Sequence, residues 1–198
     1  AQGAFLDIDY GTYPFVTSSH TVSSNAILGS GAAPIKIDRI IGVTKSYTTR
    51  VGEGPFPTEL KGKLGNYFRD RGRECGATTN RPRRCGWLDL ILLKRAVMVN
   101  NITEIALTKL DVLDDTEEIK VCIGYKGKTR EEHFDYGLDE VKPVYKNLKG
   151  WSKDLSSVRD YADLAPFARR YIVFIEHFIK RKISFISVGE LRKAVIVR

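Results

Sequence analysis

The segment Gly76–Asp89, "GATTNRPRRCGWLD", gathers Arg81, Arg83 and Arg84 within four residues. A guanidinium is a planar fork of donors that matches carboxylate or phosphate in a bidentate fashion. Pro82 restrains the backbone between the first two arginines, and Thr78 and Thr79 add hydroxyl donors beside Gly76. Such a loop could clamp a small dicarboxylate and still reach a phosphate. A solvated basic loop is the plainer alternative. The neighbouring Gly, Thr and Pro weaken it, because solvated charge needs no special backbone geometry.

Three further stretches carry polar groups where a ligand could meet them. "TKLD", Thr108 to Asp111, follows an apolar strand-like run. Ligands of open α/β sheets bind outside the carboxyl ends of strands. There Asp111 could accept two hydrogen bonds from adjacent guanine N–H groups, with the stem of Lys109 lying over the base. On four residues alone, an ordinary strand end is the simpler reading. "ISVGEL" offers Ser187 and Gly189 at what would be the same sheet edge, a weak signal by itself. "DIDYGTYPFVTSSHT" offers Thr17, Ser18 and Ser19 to a phosphate if a helix begins there, or simply a hydroxyl-rich loop or cap.

Other chemistries find no support. His20, His133 and His177 are scattered, with no metal-ligand spacing and no Ser-His-Asp order. A GxxxxGK[ST] phosphate loop is absent.

The 198 residues suffice for one α/β domain, 1–198, with a sizeable core. A net charge of +8 and a pI near 9.4 predict attraction to anions without saying which. The aromatics are not interleaved with the basic residues as a nucleic-acid stacking platform requires. No apolar run approaches the roughly 20 residues of a membrane span. Cys75, Cys85 and Cys122 are odd in number and unlike a zinc site, which reads as reduced thiols in a cytoplasmic protein. The chain opens abruptly on "AQGAFLDIDYGTYPF", as the later part of a longer protein would.

The elements follow from periodicity. "AFLDIDYG" reads as a short strand, and residues 11–33 as a polar loop or the first turns of a helix. "PIKIDRIIGVTKSYTTRV" reads as a helix after Pro34 ending in a strand near Tyr47 to Val51. "VGEGPFPTE" is turn-rich, and "LKGKLGNYFRDRG" is weakly helical. "WLDLILLKRAVMVNN" is apolar nearly all round, as a buried helix is. A buried strand is expected through Ile105 to Leu107, then strands at "EEIKVCIGYKGK" and "KPVYKNLKGW". In "DLAPFARRYIVFIEHFIKRK", Ala168, Tyr171, Ile172, Ile175, Phe178 and Ile179 keep a helical period. "ISFISVG" and "KAVIV" read as the last strands. Alternation of strands and helices predicts an α/β fold with a mixed, mainly parallel central sheet flanked by helices.

Seven stretches, in this order and spacing, resemble the adenylosuccinate synthetase family: "QGAFLDIDYGTYPFVTSS", "YTTRVGEGPFPTEL", "GATTNRPRRCGWLDL", "LTKLDVLDD", "IKVCIGYK", "PVYKNLKGW" and "ARRYIVFIE". The resemblance covers essentially the whole chain but starts in the middle of the family's pattern. It implies a P-loop-NTPase-like synthetase fold and GTP-dependent joining of inosine monophosphate (IMP) to L-aspartate with magnesium. The purine 6-oxygen is phosphorylated first, and the aspartate amine then displaces phosphate.

By the same resemblance, Gln2, Thr17, Val51 and Arg81 match the IMP contacts. Thr78, Thr79, Arg81 and Arg83 match the loop that grips aspartate. Arg83, Lys109, Asp111, Ser187 and Gly189 match the GTP side. The family's catalytic aspartate and histidine, its magnesium ligands and an arginine that crosses a homodimer belong to its N-terminal portion. The segment alone is thus expected to be inactive. Two departures stand out: Asn80 where the family often has Gly, and Glu190-Leu191 where it usually has Pro-Asp. A non-catalytic purine-nucleotide-binding or regulatory protein is the alternative.

Overall fold

A computed structural model describes residues 3–31, 37–76, 80–126 and 137–198. In chain order the elements are α1 (Asn25–Ser30), β1 (Ile41–Lys45), β2 (Thr48–Arg50), α2 (Lys63–Arg71), β3 (Arg84–Gly86), β4 (Leu88–Asp89) and α3 (Leu90–Val99). Then come β5 (Glu104–Thr108), β6 (Thr116–Lys126), β7 (Lys142–Trp151), α4 (Pro166–Ile179), β8 (Lys182–Ser187) and β9 (Val195–Val197).

The main sheet has the order β1-β5-β8-β9. The first three strands run parallel and β9 closes the edge antiparallel, the α/β architecture that the alternating pattern predicts. Parallel strands covered on both faces read as continuous apolar runs, and β5, "EIALT", buries Ile105 and Leu107 completely. Strands β4, β6 and β7 make a second sheet, in which β6 and β7 form a long antiparallel ribbon. A two-stranded sheet joins β2 to β3.

Helix α3 is the apolar helix expected, with Leu90, Ile91, Leu93 and Val97 buried. Its start is fixed by Asp89, whose Oδ1 accepts from Ile91 N and Leu92 N, both at 3.1 Å, a side-chain N-cap. The other oxygen accepts the Tyr125 hydroxyl at 2.5 Å. Helix α4 begins with Pro166 in its first turn, where a missing N–H costs nothing. Its buried face is Ala168, Tyr171, Ile172, Ile175 and Ile179, while Phe178 packs only partly buried beside them. It ends at Lys180 in the left-handed conformation, φ 55°.

Two expectations fail. The strand at "AFLDIDYG" is a 3-10 turn at Ala4–Leu6 followed by tight turns. Asp7 causes this, because its fully buried carboxylate accepts from the backbone N–H groups of Asp9, Tyr10, Thr21 and Val22. Local side-chain bonds of that kind compete with a ladder. Second, Ile37–Ile40 form no helix, and residues 32–36 lie outside the described residues. The strand begins earlier, at Ile41, and a second short one follows Ser46 and Tyr47. Ile40 and Thr103 clasp at the start of the β1–β5 pairing (Thr103 N to Ile40 O, 2.9 Å; Ile40 N to Thr103 Oγ1, 3.0 Å). Gly42 suits that register, since a Cβ there would stand 2.6 Å from the Ile102 Cδ1.

Asp114, between β5 and β6, ties the end of β7 to α2. Its buried carboxylate accepts the Trp151 indole N–H at 2.5 Å and Leu155 N at 3.0 Å, and Tyr67 donates to its carbonyl at 2.8 Å. Burial pushes its carboxyl up to about 6, against these hydrogen bonds and Arg71 at 3.6 Å. Replacing Asp114 with alanine strands two buried donors, at roughly 1–3 kcal/mol each. Denaturant unfolding of Asp114→Ala should show a loss of about 2 kcal/mol or more.

Candidate functional site

Because β1, β5 and β8 are parallel, with one register shift between Ile105 and Ala106 in the β5–β8 pairing, their carboxyl ends lie at one edge of the sheet: Lys45, Thr108 and Ser187. The segments that leave this edge are Ser46–Tyr47, Lys109–Asp111 and Val188–Glu190. Two hydrogen bonds lock the first two together: Ser46 N to Thr108 O at 2.9 Å, and Ser46 Oγ to Lys109 O at 2.7 Å. The buried Tyr171 of α4 clamps the same turn by donating to Ser46 O at 2.5 Å.

The arginine segment packs beside this edge as a closed loop. Gly76 N donates to Arg81 O and Asn80 N to Gly76 O, each at 2.8 Å, and Cys75 and Pro82 form a β-bridge at its neck. Asn80 takes the left-handed conformation, φ 50°. A short polar side chain tolerates that geometry better than most, so Asn can stand where a glycine would be the usual choice. Thr78 and Thr79 lie outside the described residues, as does Gln2.

The three arginines have separate tasks. Arg84 is structural. It forms a bidentate pair with Glu59 at 2.6 and 2.8 Å and donates to the carbonyls of Gly52 and Gly54, pinning the turn-rich loop after β2. Arg83 is half-buried and donates to Glu74 at 2.7 Å. Arg81 is exposed; its guanidinium lies near Gly52, next to the exposed Val51.

Glu74 organises the centre, and no spacing or motif in the sequence singles it out. Its side chain has zero exposure. Lys45 Nζ contacts both oxygens at 2.7 Å, the Tyr47 hydroxyl donates at 2.6 Å, Arg83 at 2.7 Å, and Lys109 Nζ stands 3.5 Å away. Burial pushes its carboxyl up, but the hydrogen bonds from Lys45, Tyr47 and Arg83 outweigh burial and hold it down at about 2. Lys45 is lowered too, by burial and by the repulsion of Arg83 and Lys109, despite its pairing with Glu74. Both groups are buried, and their hydrogen bond to each other opposes the effect of burial on each. Gly72 permits the arrangement, since a Cβ there would collide with the Tyr47 hydroxyl. A lone acid within "RGREC" is the faint signal that the sequence offers.

Asp111 is the second notable group. It is half-buried, and its Oδ1 is buried with no hydrogen-bond partner. Burial raises its pKa, opposed by its own backbone N–H, Lys109 and Arg71 and reinforced by Glu190. Buried acceptors almost always have partners, so an orphan at a strand's carboxyl edge suits a ligand donor. Lys109 takes the left-handed conformation, φ 59°. Its ammonium turns to the Gly72 carbonyl and Glu74 rather than outward. Ser187 donates to Gly189 O at 2.9 Å, closing the turn after β8. Glu190, at the rim, pairs with the exposed Arg73 at 3.0 Å.

Thr17 lies apart from this cluster, in the loop shaped by Asp7, with its N–H on Leu6 O at 2.8 Å. It does not sit at a helix start, because α1 begins only at Asn25. Among the described residues, Asp7, Asp9 and His20 alone approach one another closely enough to hold a metal. They do not fit one, since both oxygens of Asp7 already accept four backbone N–H groups. The cysteines form no disulfide, and burial pushes the Cys85 thiol up to about 11. Concavities of about 570 and 610 Å³ beside β7 and α4 share no residue with the cluster. No helix of the described residues is long and apolar enough to cross a membrane.

The molecule is thus an α/β protein with a mainly parallel sheet whose carboxyl edge gathers cations around a buried acid. Its family follows from comparison: the family model described as adenylosuccinate synthetase matches residues 1–196, and the chain belongs to that family. It is 52% identical over 202 residues to the adenylosuccinate synthetase of Thermodesulfovibrio yellowstonii, covering 100% of this chain and 48% of that protein. The enzyme of Halothermothrix orenii is 53% identical, again over 100% of this chain and 47% of its own length. A solved structure of fully ligated adenylosuccinate synthetase from Plasmodium falciparum superposes with a TM-score of 0.94 at 45% identity, covering 100% of this chain and 49% of that one. The chain spans about half the length of the curated relatives it matches.

The Glu74 cluster carries a pH signature. A carboxyl lowered in the fold stabilises above its ordinary value, 4.5, and loses that contribution as pH falls toward about 2. Acid titration of stability should steepen in this window, and Glu74→Gln should flatten it. An unchanged profile would show the carboxylate unpaired.

Proposed function

We infer that this chain is part of an enzyme that joins IMP and L-aspartate to give adenylosuccinate while cleaving GTP to GDP and phosphate. In the first step the γ-phosphoryl leaves the β-phosphate oxygen of GTP and bonds to the purine 6-oxygen, giving 6-phosphoryl-IMP. In the second, the amine of aspartate bonds to C6, the C6–O bond breaks, and phosphate departs with the oxygen. Every ligand is anionic, which suits a chain of charge +8.

The observation that carries the reading is the orphaned Asp111 Oδ1 beside Lys109, at the carboxyl edge of the parallel sheet, in a chain matching the family over nearly its whole length. Guanine presents adjacent N1–H and N2–H donors, the complement of a free carboxylate edge. We assign guanine recognition to Asp111 and Lys109, with Ser187 and Gly189 lining the base. Arg83 serves aspartate and the GTP side, and Arg81 serves aspartate and the inosine ribose. Thr78 and Thr79 complete the aspartate loop, while Gln2, Thr17 and Val51 contact IMP.

Residues 1–198 act in this reading as one α/β unit of a longer, cytoplasmic, homodimeric enzyme. Its magnesium and its acid–base residues are held outside this chain, whose own side chains bind and orient the three substrates.

The test is a synthetase assay on a full-length protein carrying this chain. Product should require GTP, IMP and aspartate together, and the isolated 198 residues should give none. Product without GTP, or normal turnover by the segment alone, would contradict the reading. Arg83→Leu should raise the aspartate KM about tenfold or more, since a charge-assisted hydrogen bond to a carboxylate is worth roughly 1.5–3 kcal/mol. An unaltered KM would remove Arg83 from the site. Asp111→Asn should weaken GTP and relax selection against other triphosphates; retained guanine selectivity would exclude Asp111 from base recognition.

A further inference from the structure

Arg83, assigned to aspartate as well as to the GTP side, and Lys109, assigned to guanine, meet on one acid. Arg83, on the aspartate side, donates to Glu74 Oε2 at 2.7 Å, and Lys109, on the guanine side, lies 3.5 Å from Glu74 Oε1. The backbone repeats the link, because Arg83 N donates to Glu74 O at 2.9 Å. Glu74 is itself held rigidly: its N–H donates to Arg69 O at 2.8 Å, and Lys45 and Tyr47 bind its carboxylate from the sheet side. The cluster is short of negative charge, with Lys45, Arg83 and Lys109 facing a single carboxylate. A change at any one cation must therefore redistribute the hold on the others.

We propose that Glu74 is a positioning residue that couples the dicarboxylate and guanine subsites through Arg83 and Lys109. The proposal rests on the assignment of those two subsites given above. A diacid that engages the Arg83 guanidinium reduces its pull on Glu74. The carboxylate then holds Lys109 more firmly, with the Gly72 carbonyl as second anchor. The lysine stem is ordered before the base arrives, so the second ligand meets a smaller entropic cost. Linkage makes the effect reciprocal: guanine nucleotide must tighten the diacid by the same factor.

The experiment is calorimetric titration of a full-length protein carrying this chain with GDP, with and without saturating succinate. Neither probe supports turnover. In the unaltered protein succinate should tighten GDP by about fivefold or more, the range of ordinary coupling energies, and in Glu74→Gln by less than about twofold. A merely structural role would weaken GDP equally with and without succinate and leave the ratio untouched. Glu74→Gln retaining the full ratio, or an unaltered protein that binds both probes without coupling, would overturn the proposal and leave the proposed function standing. An unaltered protein that binds neither probe would overturn both.

Should Glu74→Gln not fold, the cycle of Arg83→Lys, Lys109→Arg and the double variant gives the answer. With succinate present, the double variant's change in GDP affinity should differ from the product of the single changes by about threefold or more. Equality with that product would overturn the proposal.

Discussion

A single carboxylate with no exposure to solvent faces two lysines, an arginine and a tyrosine hydroxyl. Burying an isolated charge is expensive, and truncating one partner of such a cluster leaves the rest uncompensated. The surrounding structure is arranged so that Glu74 is never isolated. Lys45 ends β1, Lys109 follows β5, and Arg83 precedes β3. Three chain segments far apart in sequence are thereby held within hydrogen-bonding reach of one acid. Their convergence depends on the parallel register of the sheet and on the glycine at the end of α2 that lets Tyr47 approach.

Among the described residues, most buried polar side chains are satisfied, while the Asp111 Oδ1 and the Thr116 Oγ1 are not. Arg84 spends its donors on Glu59 and the 52–54 loop, and Asp114 is consumed in joining the β6–β7 ribbon to the rest. Asp7 is saturated by backbone N–H groups and bends the N-terminal loop. Asp111 differs, because one of its oxygens is buried without a partner at the edge where ligands of such sheets bind. This position at the sheet edge is the structural observation on which the proposed guanine subsite rests.

The sheet and the larger helices are legible in the sequence because their patterns are long. "EIALT" has an unbroken apolar centre, Ile105 to Leu107, and the α4 face repeats at helical spacing over fourteen residues. The N-terminal loop misleads because "AFLDIDYG" alternates like a strand. Asp7 binds backbone groups fourteen and fifteen positions away, which no local pattern encodes. At the site, spacing draws attention to the arginines but cannot divide their labour. Arg84 binds Glu59 and Arg83 binds Glu74, acids that sequence distance does not connect to them uniquely. The sequence suggests a Lys109 stem lying over a base, and in the fold its ammonium binds the Gly72 carbonyl at the end of α2 and stands beside Glu74. The left-handed Asn80 is foreseeable, because few other residue types tolerate a positive φ.

The central claim is that the acid at the sheet edge sets both subsites while Asp111 waits for a donor. A crystal structure of a full-length protein carrying this chain, with GDP and a diacid bound, tests it directly. The account predicts that the free Oδ1 of Asp111 accepts an N–H of the guanine, and that Glu74 still touches Lys109 while Arg83 contacts the diacid. Asp111 left unpartnered by the base, or Arg83 and Lys109 both directed into solvent away from Glu74, would contradict it.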